Sequence, residues 1–181
     1  MTPTTTRRSL LLAFAAVLGP HALARAEARD GWDVERRRVK EFTLKDLQGR
    51  TLRSADLGGK VVVVDFWATW CAPCLKELPD LSAWYKTIAG RSDVVFLSLN
   101  ATEDKATAAA FVKAKGVEFP VYLGDDLLGP YEVSGFPTKL ILDMRALPGA
   151  VRFRREGYTE LRSLEARAAD VLSAKPEPTA R

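Results

Sequence analysis

The chain carries, at residues 61–74, the sequence VVVVDFWATWCAPC. The apolar run in its first half contains one acid and predicts a strand, Lys60–Phe66, that is buried on both faces of a sheet. The two cysteines at its end open a helix-period pattern over Cys71–Ala89, which Gly90 ends. We therefore expect a cysteine pair in the first turn of a helix that directly follows a buried strand.

Strand and helix patterns alternate along the rest of the chain. The predicted strands are Glu41–Leu44 and Thr51–Arg53, which form a hairpin, then Val94–Leu99, Pro120–Leu123, Thr138–Leu142 and Val151–Arg155. The other predicted helices are Thr102–Lys115, capped by Thr102 and ended by Gly116, and Thr159–Ser173. This alternation predicts an α/β fold with a mainly parallel central sheet and helices on both faces.

The first 26 residues have the pattern of a cleaved secretory signal peptide. Arg7 and Arg8 precede the apolar run Leu10–Leu18, and cleavage sites with small residues end at Ala24 and Ala26. The apolar run is much shorter than the roughly 20 residues that cross a bilayer. The paired arginines also resemble a twin-arginine export signal. We expect an exported protein, located in the periplasm.

Without this segment the chain is nearly neutral and contains no histidine. Cleavage of the signal removes His21 and three arginines. The mature chain then contains 24 of the 27 basic residues and all 23 acidic residues. A net charge near +1 gives no electrostatic basis for nucleic-acid binding. The loss of histidine excludes His-ligated metals and Ser-His or Cys-His nucleophilic pairs in the mature chain. We expect no cofactor and no metal site.

The cysteine pair itself points to thiol–disulfide exchange. A thiolate at a helix N-terminus is stabilised by unpaired N–H groups and by the helix dipole, so we assign Cys71 as the nucleophile and Cys74 as the resolving thiol. A purely structural disulfide across so short a loop would contribute only about 2 kcal/mol. A zinc site needs two further ligands. A Cu(I) carrier that uses both thiolates stays open as an alternative.

Five segments around this pair share a known pattern: Phe42–Asp46, Val61–Trp67, Trp70–Cys74, Leu75–Pro79 and Gly135–Thr138. They resemble the thioredoxin superfamily, and within it the exported TlpA/ResA-like thiol–disulfide oxidoreductases. The resemblance implies a thioredoxin fold with an N-terminal β-hairpin and a helix–strand insertion at residues 101–125. The expected domain spans residues 41–174, with a linker at 27–40 and a disordered tail at 175–181.

The resemblance also implies roles for two acids. From the pattern alone, Asp65 is expected to point outward at the end of its strand, because an unpaired buried charge is costly. The resemblance instead implies a buried carboxylate that shuttles the proton of Cys74. Glu77 lies one helical turn after Cys74, where an ordinary glutamate would face solvent. By resemblance it borders the active site and tunes the cysteines.

For the loop at Gly135–Thr138 the resemblance implies a cis peptide bond before Pro137, beside the disulfide. Phe136 and Trp70 would form an apolar lip around Cys71, and Pro137 and Thr138 would bind an extended segment of the substrate. Pro73 would stiffen the helix entry and Pro79 would kink the helix. These are expectations of the family pattern.

The resemblance implies a reductant of protein disulfides, and we expect a monomer. Its implied clients are the cysteine pairs of apocytochrome c or of an oxidase copper site, and its implied electron donor is a membrane thiol-transfer protein. An oxidant that donates its disulfide to folding proteins would use the same residues and stays open. A thiol peroxidase is disfavoured, because the Pro-x-x-x-Thr-x-x-Cys arrangement is missing around Thr69 and Cys71.

Overall fold

A computed structural model of the chain describes residues 31–176; the expected signal peptide at residues 1–26, the first residues of the expected linker and residues 177–181 of the expected tail lie outside them. The strands are β1 (Asp33–Val34), β2 (Thr43–Lys45), β3 (Thr51–Arg53), β4 (Val61–Trp67), β5 (Val94–Asn100), β6 (Val121–Leu123), β7 (Thr138–Asp143) and β8 (Ala150–Glu156). The helices are α1 (Ala72–Ile88), α2 (Lys105–Lys115), α3 (Asp125–Leu128) and α4 (Leu161–Ser173), with a 3₁₀ turn at Ser54–Leu57.

Every predicted element is present with its ends within three residues of the expected positions, while β1 and α3 were not expected. The predicted cap of α2 is wrong. Asp104, not Thr102, caps this helix, since its carboxylate accepts the N–H of Thr107 at 2.7 Å. Thr102 instead adopts a positive φ of 68°. Gly116 ends α2 in the left-handed conformation, as predicted.

Six strands form the central sheet in the order β1-β8-β7-β4-β5-β6. Strands β4, β5 and β6 run parallel, whereas β7, β8 and β1 join in antiparallel pairings. The expectation of a mainly parallel sheet is therefore wrong. For the β7–β8 pair the physical reason is the short connection at residues 144–149. A parallel pair needs a crossover of about a dozen residues.

The central strand β4 is buried on both faces, as its valines predicted. Val61 and Val63 point into a core layer with α1, α2 and α4. Val62 and Val64 point into the opposite layer, which the β2–β3 hairpin and α3 close. Helices on both faces are thus found only if the one-turn α3 is counted, because the three longer helices share one face. None of the helices within residues 31–176 has the length and apolar character to cross a membrane.

The described part of the expected linker is packed onto the domain. Strand β1 pairs antiparallel with β8 and extends the sheet by one strand. Trp32 is 1% exposed, and its indole N–H donates to Oγ of Ser163 at 2.9 Å. Val39 is buried as well. The domain therefore begins earlier than residue 41, because these apolar side chains cover the edge of the sheet and the flank of α4.

Replacing Trp32 tests whether this segment contributes to the fold. We expect Trp32→Ala to lower the free energy of unfolding by about 3–5 kcal/mol, because it empties a buried site. The neighbouring Val34 is 47% exposed, so Val34→Ala serves as the control and should change stability by no more than about 0.5 kcal/mol. Urea unfolding of both variants gives the two values. A Trp32→Ala variant that unfolds at the same urea concentration as Val34→Ala and the wild type would show that Trp32 does not stabilise the domain.

Candidate active site

The two cysteines lie at the N-terminal end of α1. Cys71 is the residue that caps the helix, and it forms a disulfide with Cys74. The backbone N–H of Cys74 donates to Sγ of Cys71 at 3.2 Å. Pro73 lies in the first turn, where a helix needs no backbone donor, and Pro79 lies farther along the same helix. When the disulfide opens, the Cys71 sulfur stays at a helix end that favours negative charge.

An exposed aromatic side chain stands beside this buried disulfide. Cys71 and Cys74 are 4% and 2% exposed, whereas the adjacent Trp70 is 65% exposed. Its ring packs against that of Phe136, with 5.7 Å between the ring centroids. Only two other large apolar side chains within residues 31–176 stay exposed. The expected apolar lip is therefore present next to Cys71.

The loop before β7 completes this edge of the site. The Phe136–Pro137 peptide bond is cis, which confirms the expectation from the family pattern. The N–H of Gly157 donates to the Pro137 carbonyl at 2.8 Å, so the loop before α4 holds the proline in place. Thr138 is fully buried, and its hydroxyl donates to the Gly135 carbonyl at 2.7 Å. Its side chain supports the loop from inside.

Beneath α1, three charged side chains are buried together. Nζ of Lys139 donates to Oε2 of Glu77 and lies 3.0 Å from Oδ1 of Asp65. The backbone N–H of Thr159 donates to the other Glu77 oxygen. No more than 3% of any of the three charged side chains is exposed. We call Asp65, Glu77 and Lys139 the buried charge cluster.

Burial raises the pKa of both acids in this cluster, whereas the charges of the acids raise that of the lysine. Burial raises the pKa of Asp65 above its usual range, and the charge of Lys139 only partly offsets it. Burial raises the pKa of Glu77 too; Lys139 opposes this increase, and the negative charge of Asp65 adds to it. For Lys139, burial lowers the pKa, but the two carboxylates outweigh it, so the net pKa is raised. The cluster contains one lysine and two acids, so one of the two carboxylates is able to hold a proton without leaving the lysine unpaired.

The structure buries Asp65, as the resemblance implied, and it also buries Glu77, for which neither the pattern nor the resemblance implied burial. It also shows three site residues that the sequence analysis missed: Lys139, Thr159 and Glu103. Lys139 had a signal in the sequence, since it interrupts the apolar strand Thr138–Asp143. It is the cross-strand partner of Asp65, so both side chains lie on the same face of the sheet. That pairing is visible only once the register is known.

Glu103 fixes the loop that leads into Cys71. Its Oε2 accepts the backbone N–H of Thr69 at 2.8 Å and the side-chain amide of Asn100 at 2.7 Å. The Thr69 hydroxyl donates to its other oxygen. Glu103 belongs to the insertion at residues 101–125, so the insertion is bonded directly to the loop that carries Trp70.

Comparison with known proteins identifies the family of the chain. Residues 36–143, more than half of the chain, match the model of the AhpC/TSA family. The chain belongs to this family. It is 38% identical over 104 residues to the thiol-disulfide oxidoreductase ResA of Bacillus subtilis, covering 56% of this chain and 58% of that protein. ResA of Bacillus cereus is 36% identical over 56% of this chain and 60% of its own length. The chain thus spans about three fifths of the curated relatives it matches.

Solved structures give the same fold. A thiol:disulfide interchange protein of the thioredoxin family from Chlorobium tepidum superposes with a TM-score of 0.67 at 26% identity, covering 78% of this chain and 99% of that one. The exposed lipoprotein thioredoxin Etrx1 of Streptococcus pneumoniae gives a TM-score of 0.60 at 28% identity, covering 72% and 99%. The chain has a thioredoxin fold, as the resemblance implied, with the hairpin before it and the insertion within it.

Replacing Glu103 tests whether its hydrogen bonds hold the loop that leads into Cys71. We expect Glu103→Ala to lower the free energy of unfolding by about 1.5–3 kcal/mol and to speed hydrogen exchange of the Thr69 amide, because three partly buried donors lose a charged acceptor. Glu118→Ala is the matched control, because Glu118 is 56% exposed and forms a surface ion pair with Lys86. Amide exchange followed by NMR gives the comparison. Unchanged exchange at Thr69 would mean that Glu103 does not hold the loop.

Proposed function

We propose that this protein is an exported thiol–disulfide oxidoreductase that reduces disulfides of client proteins by dithiol exchange. The observation that carries the proposal is the disulfide between Cys71 and Cys74 at the start of α1, between an apolar lip and buried acids. The names of the ResA relatives support the same chemistry.

In the reduced protein, the Cys71 thiolate attacks one sulfur of the client disulfide and the other client sulfur leaves as a thiolate. Helix N–H groups, including that of Cys74, stabilise the attacking thiolate. Cys74 then loses its proton and attacks Sγ of Cys71, which forms the disulfide and releases the second client thiolate. Two electrons pass to the client, and the pair Cys71–Cys74 is left oxidised.

Client recognition is assigned to the exposed edge of the site. Trp70 and Phe136 offer an apolar surface beside Cys71, and the backbone before Pro137 can pair with an extended client segment. We expected Thr138 to bind substrate as well. Because its side chain is buried, we now assign it a supporting role beneath the loop.

Proton transfer is assigned to the buried acids. Cys74 is 2% exposed, so its proton has no direct route to solvent. Glu77 lies one helical turn after Cys74 and joins Asp65 in the buried charge cluster. A carboxylate there provides a base for the resolution step.

The physiological setting rests on the resemblance to the TlpA/ResA-like branch. On that basis the protein receives electrons from a membrane thiol-transfer protein; the expected signal peptide would place it in the periplasm, and we propose that it acts there as a monomer. Its clients are cysteine pairs of apocytochrome c or of an oxidase copper site. The chain is nearly neutral after loss of the expected signal, which supports a protein client over a nucleic acid.

The Cu(I) carrier is the alternative from another class. Two thiolates alone are able to bind Cu(I). Within the part of the chain that the structure describes, no group of three or more His, Cys, Asp or Glu residues is placed to hold a metal ion. The exposed lip and the buried acids also have no task in copper transport, so the oxidoreductase is the better supported function.

The two cysteines should behave differently when replaced. We expect Cys74→Ser to accumulate a mixed disulfide with a client through Cys71, because the resolving thiol is missing. Cys71→Ser should form none, because the attacking sulfur is absent. Non-reducing gel electrophoresis after acid quenching measures both. Full turnover by both single variants would refute dithiol exchange.

The reduction potential tests the direction of electron flow. For a reductant we expect a value below about −230 mV, toward the thioredoxin end of the scale. Equilibration in thiol–disulfide buffers, followed by tryptophan fluorescence, gives this value. A potential near −120 mV would make the protein an oxidant of folding proteins and would contradict the proposed clients.

A further inference from the structure

Lys139 brings a positive charge into the core beneath α1. Its side chain is 1% exposed, and it lies on β7 between two acids from different elements. A buried ammonium costs several kcal/mol of desolvation, which only well-placed partners offset. Here the partners are the carboxylates of Asp65 and Glu77, which would be left buried without a counter-ion if Lys139 were apolar.

The two acids are not held equally by Lys139. Glu77 accepts a hydrogen bond on each oxygen, one from Lys139 and one from the backbone of Thr159. Oδ1 of Asp65 lies 3.0 Å from the ammonium, but it accepts no aligned hydrogen bond within the described residues. Glu77 is therefore the better stabilised anion, and Asp65 is the acid that more readily keeps or takes a proton.

Strands β8 and β5 and helix α1 each place a polar or ionisable residue beside the buried charge cluster. Arg155 on β8 is the cross-strand partner of Lys139, and Ser98 on β5 is the partner of Asp65. The Arg155 guanidinium donates to the Tyr158 carbonyl at 3.2 Å, in the loop before α4. Helix α1 adds Cys74, one turn before Glu77. A second cation thus flanks Lys139 on the side away from Asp65.

We propose that Lys139 is a positioning residue of the exchange reaction, which holds Glu77 as a fixed anion and leaves Asp65 as the carboxylate that takes the proton of Cys74. This inference rests on the proposed dithiol exchange. In the resolution step, the S–H bond of Cys74 breaks and its proton passes to Asp65. The Cys74 electron pair then forms the bond to Sγ of Cys71, and the client sulfur leaves with its own electron pair.

Two substitutions should move the pH dependence of this step in opposite directions. In Lys139→Met both acids lose their counter-ion, so the pKa of Asp65 rises and the resolution step needs a higher pH. In Glu77→Gln, Lys139 pairs with Asp65 alone and the repulsion between the acids is gone, so the pKa of Asp65 falls. We expect the inflection point of the plot of resolution rate against pH to shift by about one pH unit or more in each variant. At a fixed pH on the acidic side of the inflection, this shift changes the rate of resolution about tenfold.

The experiment is a single turnover of the reduced protein with dithiobis(nitrobenzoate) across the acidic and neutral pH range. Attack by Cys71 releases the first coloured thiolate, and resolution by Cys74 releases the second. The rate of the second release is plotted against pH for wild type, Lys139→Met and Glu77→Gln. Lys45→Met is the matched control, because Lys45 is an exposed strand lysine outside the cluster, and its profile should coincide with wild type.

Opposite shifts for the two variants support the inference. Coincident profiles, or shifts in the same direction, would reduce Lys139 to a structural role. If Lys139→Met does not fold, the pH profile of Glu77→Gln alone tests the inference. A shift of this profile to lower pH supports it, and an unshifted profile contradicts it. A wild-type protein that releases no second thiolate would overturn the proposed function itself, and the inference with it.

Discussion

The ammonium of Lys139 joins parts of the chain that are far apart in sequence. It binds Glu77 on α1 and contacts Asp65 on β4, while Glu77 also accepts the N–H of Thr159 before α4. Inside a low-dielectric core these charges stabilise the fold only while all of them stay together. The start of α1 is therefore held at one position over the sheet, and the cysteines are held with it.

The rest of the site is arranged around that helix start. The dipole and free N–H groups of α1 favour a thiolate at Cys71, and the buried acids include Glu77, one helical turn after Cys74, which we propose as part of the proton-transfer path. Glu103 fixes the loop on one side, and the cis bond before Pro137 shapes the other. The proposed roles in thiolate stabilisation, proton transfer and client binding thus fall to separate elements that meet at the end of the central strand β4.

Part of the site comes from the chain beyond the region that matches the family model. The match ends at residue 143, whereas Gly157 holds the Pro137 loop and Thr159 holds Glu77. Strand β8 and α4 carry these contacts, and Trp32 packs on α4 from the other end of the chain. The C-terminal part is therefore needed to complete the active site as well as the fold.

Sequence alone predicted most of the elements and the proposed chemistry. Four successive valines predict a doubly buried strand, and two cysteines three positions apart at a helix start predict a redox pair, because both signals are local. The sheet directions, the role of residues 32–40 and the cap of α2 were not predictable, since each depends on contacts between distant segments. The pairing of Asp65 with Lys139 is of the same kind. An acid and a lysine in two apolar strands look unfavourable separately, and only the antiparallel register places their opposite charges within reach.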